Sequence, residues 1–177
     1  ATILDAAILN TPMLTIRHAT EADIPLLRTL CFQVWPQTYA GIITPAQIDY
    51  MLEMMYSPAS LQQQMHSGAN FLICYDDTQP CGFASYQDHT NGKFKLDKIY
   101  VLPSQQGKGT GRFIIDYIVN SIRPQGAKVL QLHVNKHNIA RHFYQKLGFV
   151  VAKAAVFDIG NGFVTDDYVM ELAIGQT

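Results

Sequence analysis

The sequence lacks the features that mark several classes of protein. Its 177 residues include only 3 cysteines, which form no C-x-x-C pair, so free buried thiols are expected in place of a disulfide framework. Charged residues make up 15% of the chain, and its 13 basic side chains form no run that would suit nucleic acid. No apolar stretch reaches the roughly 18 residues that a membrane helix needs. These absences favour a cytoplasmic globular protein.

The chain also lacks signs of a second large domain or of a metal-binding motif. Apolar residues make up 48% of it, enough for one domain with a sizeable core, which we place at 13–177. Residues 1–12 are mildly apolar but contain no basic stretch, so we expect a surface segment there and not a signal peptide. His133, His137 and His142 straddle a strand end and a helix start, so no metal site is predicted.

Apolar periodicity and turn residues predict groups of helices and strands. A first strand at 13–18 precedes a helix that begins after Thr20 and that Pro36 is expected to end. Thr44-Pro45 and Ser57-Pro58 each predict a further helix, because a capping residue precedes a proline at the first helical position. The other predicted elements are strands at 70–75, 81–88, 94–101, 128–134, 149–159 and 163–172, and helices at 111–122 and 139–147. This order indicates a mixed α/β domain with one central sheet.

A glycine-rich turn between a strand and a helix is the most informative stretch of the chain. Glycines stand at 107, 109 and 111, after the strand that Pro103 ends, and a helical pattern begins at Arg112. Glycines let backbone N–H groups converge, and the first N–H groups of the helix are unpaired, so a phosphate group fits here. The nucleoside-triphosphate loop would need Ser or Thr where Gly109 stands, and the dinucleotide fingerprint would need glycine in place of Arg112.

Two motifs give this stretch a more specific meaning. Gln106–Gly111 matches the pattern Gln/Arg-x-x-Gly-x-Gly/Ala, and Asn138–Phe149 contains an Asn…Ala…Phe-Tyr…Gly-Phe series at the expected distance downstream. On these residues the chain resembles the GNAT superfamily of N-acetyltransferases, most closely over 94–150 and more loosely over 13–173. The resemblance implies the GNAT fold, an α/β (α+β) single domain with a mixed, mostly antiparallel central sheet flanked by helices.

The resemblance further implies that acetyl-CoA is the donor and an amine the acceptor, both held in one ternary complex. In the family, pantetheine lies along the strand before the loop, and a gap opens between that strand and the next, which is 128–134 here. The loop would bind the pyrophosphate, and the downstream segment would also contact the cofactor. The implied acetyl-CoA-binding residues are Ile99, Tyr100, Val101, Gln106, Gly107, Lys108, Gly109, Thr110, Gly111, Arg112, Asn138 and Arg141.

Acetyl transfer to an ammonium needs an acid for the departing thiolate and a base for the amine. The family's tyrosine acid maps to Tyr144, although Asn138 lies six residues before it, where many members have seven. Asp97 is the best-placed carboxylate for the base, and strand alternation puts it on the face of Ile99 and Val101. The alternatives are Tyr100, His89, Tyr86 and ordered water.

In this fold the first helices and the final hairpin usually wall the acceptor site. Large side chains where the first helical pattern breaks make Trp35 and Tyr39 candidate walls, with Tyr86 as a third. The region is loosely similar to bacterial polyamine N-acetyltransferases, but a polyamine slot would need several carboxylates, which the sequence does not place together. The carboxylates available are Asp49, Glu53, Asp88, Asp166 and Asp167.

Three functions stay open on the sequence alone. The first is an N-acetyltransferase for the primary amine of a small molecule. The second is a protein or peptide N-acetyltransferase, which would have an open groove in place of a closed pocket. The third is a non-catalytic acyl-CoA-binding module, in which Tyr144 would lie away from the thioester. The terminal strands are a candidate homodimer interface, since many members of the family self-associate.

Overall fold

A computed structural model describes residues 11–175, so most of the segment predicted at 1–12 lies outside the described residues. Seven strands form one sheet in the order β1-β2-β3-β4-β5-β7-β6. In this sheet β4 and β5 are parallel and the other neighbouring pairs are antiparallel, which confirms the predicted fold class. The strands are β1 Leu14–His18, β2 Asn70–Asp76, β3 Gln79–Asp88, β4 Lys93–Val101, β5 Val129–Asn135, β6 Val150–Gly160 and β7 Phe163–Ala173.

Helices flank the sheet on both faces. They are α1 Ile24–Tyr39, α2 Pro45–Tyr56, α3 Pro58–His66, α4 Thr110–Ile122 and α5 Ala140–Lys146. The starts of α2 and α3 are as predicted, because Thr44 and Ser57 each accept a hydrogen bond from a backbone N–H three residues later, at 3.2 Å. Among residues 11–175, none of the helices is long and apolar enough to cross a membrane.

The prediction that Pro36 ends the first helix is wrong. α1 continues to Tyr39, with Pro36 inside its last turns. Proline has no N–H to donate to the carbonyl four residues earlier, but the carbonyl of Pro36 still accepts from the N–H of Ala40 at 3.2 Å. The extra turn carries Tyr39 to the sheet, where its hydroxyl lies 2.8 Å from the hydroxyl of Tyr100.

Two hydrophobic clusters lie on opposite faces of the sheet. The α4 face, which α5 also covers, includes Leu96 and Leu132 from the central strands. The α1 face, shared with α2 and α3, includes Trp35, Tyr56 and Phe83, each almost inaccessible to solvent. Alternate residues of β2 and β3 supply the two clusters, as the period of two of a strand requires.

β6 forms one edge of the sheet. Val150, Val151 and Val156 on this strand are exposed. An edge strand offers unpaired backbone groups to a second chain. This edge is compatible with the homodimer interface expected on the terminal strands, which stays a prediction.

A β-bulge interrupts the middle of β4. Ser85 of β3 pairs with Lys98, and the next residue, Tyr86, pairs with Leu96, so Asp97 has no partner across the ladder. A bulge of this kind inserts one extra residue and bends the strand. The side chains before and after Asp97 therefore do not follow a single alternation.

The bulge corrects the predicted face of Asp97. Strand alternation predicts that Asp97 shares a face with Ile99 and Val101. The latter two pack against the α4 cluster, whereas Asp97 lines a cleft on the α1 face together with Tyr100. An extra residue shifts the alternation of faces along a strand by one position, and no sequence signal marks the position of the bulge.

β4 and β5 part beyond the bulge. Their parallel pairing joins Lys93–Leu96 to Val129–Leu132 and goes no further. β4 nevertheless continues to Val101 and β5 to Asn135. The result is the gap between neighbouring strands that the family resemblance implied.

Candidate active site

The glycine-rich loop leads from the end of β4 into α4. Gly107 and Gly109 have φ angles of +78° and +80°, and a Cβ built on either would meet no atom within 4 Å. The backbone N–H groups from Gly107 to Gly111 form no well-aligned hydrogen bond to an acceptor in residues 11–175, and the first helical bond runs from Phe113 N to Gly109 O at 3.0 Å. The loop therefore presents free donors at the N-terminus of a 13-residue helix, which suits a phosphate group.

Buried contacts hold this loop in place. Thr110, which is 1% exposed, donates its hydroxyl to Gln105 Oε1 at 3.3 Å, and Gln105 Nε2 donates to Asp76 Oδ2 at 2.9 Å. A Cβ at Gly111 would lie 3.0 Å from the ring of Phe143, so glycine allows α4 and α5 to approach closely here. The loop and the start of α5 are therefore neighbours.

The side chains predicted to bind acetyl-CoA from the loop are exposed. Gln106 donates weakly to the carbonyl of Val101 at 3.5 Å, and Lys108 points away from the core. Arg112 lies 4.0 Å from Asp116, one helical turn later. All three side chains are exposed and make at most weak contacts, so an anion at the loop can reach them.

Tyr144 lies on α5 near the gap between β4 and β5. Its side chain is 8% exposed and packs against the rings of Phe143 and Phe149. It interacts electrostatically with Tyr39 and Tyr100, which belong to the α1 face of the sheet. Burial raises the pKa of Tyr144, and its hydroxyl donates to no acceptor among the described residues. The phenol is therefore protonated at neutral pH and has a proton to give.

The two other predicted cofactor residues of this segment have partners in the fold. Asn138 Oδ1 accepts from the N–H of Ala140 at 2.9 Å and so caps the start of α5. The guanidinium of Arg141 lies over the ring of Tyr168, 5.0 Å from its centroid. Neither contact tests a role toward acetyl-CoA, which stays a prediction for both residues.

A cleft of about 610 Å³ opens on the α1 face, across the gap from Tyr144. Its floor is the middle of β4 and the end of β5, and its walls come from α1, α2, α3 and the β6–β7 hairpin. Trp35 and Tyr39, both predicted as walls, line it together with Tyr100. Much of the remaining lining is apolar: Ile43, Met51, Met54, Met55, Phe157 and Ile159.

Tyr86 and His89 lie outside this cleft. Tyr86 faces α4, as Ala84 two residues before it does, and interacts there with Tyr117. His89 lies in the turn after β3, where its backbone N–H donates to the backbone carbonyl of Lys93. The structure thus places both residues away from Trp35 and Tyr39, and neither is positioned as an acceptor wall or base.

Two carboxylates line the cleft in different environments. Asp97 lies 3.6 Å from the ammonium of Lys95. Asp167 on β7 is 9% exposed and has no ion pair among residues 11–175. Burial raises the pKa of Asp167. The other carboxylates considered for a polyamine slot do not line the cleft: Asp49, Glu53, Asp88 and Asp166.

Lys98 was missed by the sequence reasoning. It follows the bulge, lines the cleft and is only 6% exposed. Its ammonium donates to Gln64 Oε1 at 2.5 Å and lies over the rings of Tyr56 and Phe71, 5.4 and 5.5 Å from their centroids. Burial lowers the pKa of Lys98 to about 8. Lys98 shares the face of Tyr100, two residues later, but a lysine within a strand is usually exposed, so its burial was not expected.

His133 on β5 also lines the cleft and was not predicted there. Its ring stacks on Phe157 with 4.7 Å between centroids. Burial, together with repulsion from Lys95, Lys93 and Lys153, lowers the pKa of His133 to about 4. The imidazole is therefore neutral at pH 7.

This low pKa makes the stability of the fold pH-dependent. Between about pH 6.5 and about pH 4 the unfolded chain protonates His133 while the folded protein does not, so the free energy of unfolding should fall with pH. His133→Phe keeps the ring stack and cannot titrate. With allowance for solvent screening, the wild type should lose about 1 kcal/mol more than this variant on acidification. Urea unfolding at about pH 7 and about pH 4.5 measures both losses, and equal losses would contradict the assignment.

Comparison with known proteins supports the resemblance to acetyltransferases that the sequence motifs indicate. The family model described as Acetyltransferase (GNAT) domain matches residues 40–172. The probable N-acetyltransferase Rv2775 of Mycobacterium tuberculosis is 28% identical over 143 residues, which is 76% of this chain and 78% of that protein. Aminoglycoside N(6')-acetyltransferase type 1 of Stenotrophomonas maltophilia is 28% identical over 152 residues, which is 81% of this chain and 90% of that protein.

A solved structure shares the fold. The crystal structure of the paia N-acetyltransferase from Thermoplasma acidophilum in complex with coenzyme A superposes with a TM-score of 0.76 at 24% sequence identity. The match covers 90% of this chain and 98% of that one. The whole sheet and its flanking helices therefore follow a known architecture.

Proposed function

Because the chain belongs to the GNAT acetyltransferase family, we propose that it transfers the acetyl group of acetyl-CoA to a primary amine of a small molecule in one ternary complex. The gap between β4 and β5 carries this proposal. It lies between the glycine-rich loop and Tyr144 on one face of the sheet and the cleft on the other. The two substrates can therefore approach from opposite sides and meet where the strands part.

The residues around the gap fit acetyl-CoA. The unpaired N–H groups from Gly107 to Gly111 would hold the pyrophosphate. Beyond Leu96 the edge of β4 has no β5 partner, so the backbone of Ile99 and Val101 can bind the pantetheine amides as an added strand would. When bound, acetyl-CoA supplies an acyl thioester, whose carbonyl carbon an amine can attack.

Gly109→Ala should weaken acetyl-CoA binding about tenfold, because the new methyl group would occupy the open side of the loop and strain its positive φ. Gly126→Ala is a matched control, since Gly126 has a φ of +81° and equally open surroundings far from the loop. Both variants should lose about 1 kcal/mol of stability. Titration calorimetry with acetyl-CoA should separate them, and equal affinities would count against the loop as the pyrophosphate site.

Tyr144 is the proposed acid for the departing thiolate. Its pKa is raised by burial, so the proton stays on the phenol until a thiolate forms nearby. The same poorly solvated surroundings disfavour a thiolate anion, so a thiolate formed there takes the proton of Tyr144 more readily. Tyr39 and Tyr100, hydrogen-bonded to each other, border the same place from the cleft side.

Asp167 is the proposed base for the acceptor ammonium. Burial raises its pKa, and a carboxylate with a raised pKa accepts a proton more readily. Asp97, our candidate from the sequence, also lines the cleft, but its charge is compensated by Lys95 at 3.6 Å. We therefore give Asp97 the secondary role of balancing charge in the cleft.

The volume and the walls of the cleft support a small acceptor over a protein. Helices on one side and the β6–β7 hairpin on the other wall it, and its volume falls in the range of about 300–1,000 Å³ that is usual for small-molecule sites. A polypeptide would need a groove that is open at both ends. Thiol release from acetyl-CoA, measured with amines, amino acids and peptides, should respond to small amines. Release with peptides alone would favour protein acetylation, and binding without release would favour a non-catalytic module.

A further inference from the structure

Lys98 is a buried cation without a carboxylate in contact among the described residues. Placing a cation in an apolar cluster is costly, and the cost is usually repaid by a carboxylate in contact. No carboxylate lies within 4.0 Å of the Lys98 ammonium in residues 11–175, and its hydrogen-bond partner is the neutral oxygen of Gln64. A charge retained without a counter-ion at a cleft wall is typical of a group that awaits a ligand.

The surroundings hold this ammonium at a defined point. Gln64 Nε2 donates to the carbonyl of Met55 at 2.8 Å and to Ser60 Oγ at 2.9 Å. These two bonds fix the amide so that Gln64 Oε1 faces Lys98. The aromatic rings of Tyr56 and Phe71 border the ammonium from the core side. The remaining donors of Lys98 are therefore left for the cleft, where Gln64 and Lys98 are both lining residues.

The charges of the cleft suit a molecule that carries one group of each sign. Lys95 and Asp97 form an ion pair, whereas within residues 11–175 neither the ammonium of Lys98 nor the carboxylate of Asp167 has an oppositely charged side chain within 4.0 Å. The attraction of Asp97 for Lys98, and of Lys95 for Asp167, acts only over longer distances. A polyamine would meet one carboxylate and one repelling ammonium, so the cleft is poorly matched to it. An ammonium beside Asp167 and a carboxylate beside Lys98 would leave neither charge unpaired.

We infer that the acceptor is an amino acid, whose carboxylate Lys98 binds while its amino group lies at Asp167. This inference rests on the proposed function and names its substrate class. The apolar lining from α2 and the β6–β7 hairpin, which includes Met51 and Phe157, would receive an apolar side chain. Lys98 acts here as a specificity residue for binding and takes no part in the chemistry.

Wild-type protein tests the inference first. Thiol release from acetyl-CoA is measured with the common amino acids, with the amines that lack only their carboxylate, and with spermidine. The best amino acid should exceed its decarboxylated counterpart in kcat/KM by about tenfold or more, the usual value of a hydrogen bond to a charged group. An equal or greater kcat/KM for the decarboxylated amine or for spermidine would overturn the inference and leave acetyl transfer intact. No release with any amine would instead refute the proposed function.

Lys98→Met then tests the residue itself, with Lys98→Gln as a second variant and the exposed Lys128→Met as a control. Activity with the amino acid should fall about tenfold or more in both Lys98 variants, and the ratio of kcat/KM for the amino acid to that for the decarboxylated amine should fall by the same factor. The Tm of each variant is measured in parallel, because loss of the ammonium also leaves Gln64 Oε1 without its donor. A retained preference for the amino acid in both Lys98 variants would show that Lys98 serves the fold and not the acceptor.

Discussion

Tyr144→Phe should lower kcat for acetyl transfer by about one to three orders of magnitude and leave the Kd for acetyl-CoA nearly unchanged. The variant removes the hydroxyl and keeps the ring, so the packing against Phe143 and Phe149 is preserved. The proton of the Tyr144 hydroxyl is transferred only to the leaving thiolate, and no thiolate is present while intact acetyl-CoA is bound. A change confined to kcat is what loss of such an interaction produces.

Tyr117→Phe is a suitable control for this prediction. Tyr117 lies on α4, half-exposed, and its hydroxyl is 3.5 Å from His18 Nε2, away from the gap. Steady-state thiol release at saturating acceptor gives kcat, and titration calorimetry gives the Kd for acetyl-CoA. A wild-type kcat for Tyr144→Phe would remove the phenol from the mechanism, whereas a weakened Kd alone would make it a cofactor contact.

Asp167→Asn should lower kcat/KM for the acceptor by about two orders of magnitude, the usual contribution of a general base. Asparagine has nearly the same shape but cannot take the proton of an ammonium. In the wild type, kcat/KM should rise as the pH increases through the raised pKa of Asp167, and this limb should be missing in the variant. A pH series of kcat/KM for both proteins measures the difference.

The two other aspartates nearby provide the controls. Asp97→Asn should change kcat/KM by less than about threefold, because the wild-type carboxylate is already compensated by Lys95. Asp166→Asn tests the neighbouring position, whose carboxylate pairs with Lys136 at 2.7 Å and does not line the cleft. If Asp97→Asn is the more damaging change, the base is Asp97, as the sequence alone suggested.

Features set by short-range rules could be predicted from the sequence. Thr44 and Ser57 start their helices as expected, since a side-chain oxygen and a following proline act within one turn. The glycine-rich loop between β4 and α4 is also local, because Gly107 and Gly109 supply positive φ angles wherever the chain turns. The fold class and the family followed from the order of such elements and from two motifs.

At Pro36, tertiary packing overrides the local rule that a proline ends a helix. Loss of one helical hydrogen bond at Pro36 is offset where Trp35 and Tyr39 bury their rings against each other, with centroids 4.5 Å apart. That contact depends on the sheet beneath α1, which includes Tyr100. The local sequence pattern does not show contacts with residues that are distant in the chain, so the predicted helix end comes too early.

The cleft could not be predicted for a similar reason. Its members come from helices and strands far apart in the chain, and the bulge at Asp97 decides which side chains of β4 face it. One extra residue places Asp97 on the cleft face together with Lys98 and Tyr100, whereas Leu96 packs in the α4 cluster. Asp167 was noticed only as one of several carboxylates, because its burial depends on how β7 pairs with β5.

A crystal structure of the protein with coenzyme A tests the central claim most directly. We expect the pyrophosphate within about 3 Å of the backbone nitrogens from Gly107 to Gly111, and the sulfur at the gap within about 4 Å of Tyr144 Oη. The acceptor cleft should then border the sulfur from the side of Tyr100. A pyrophosphate bound away from the loop, or a sulfur too far from Tyr144 for proton transfer even through one water molecule, would contradict the account.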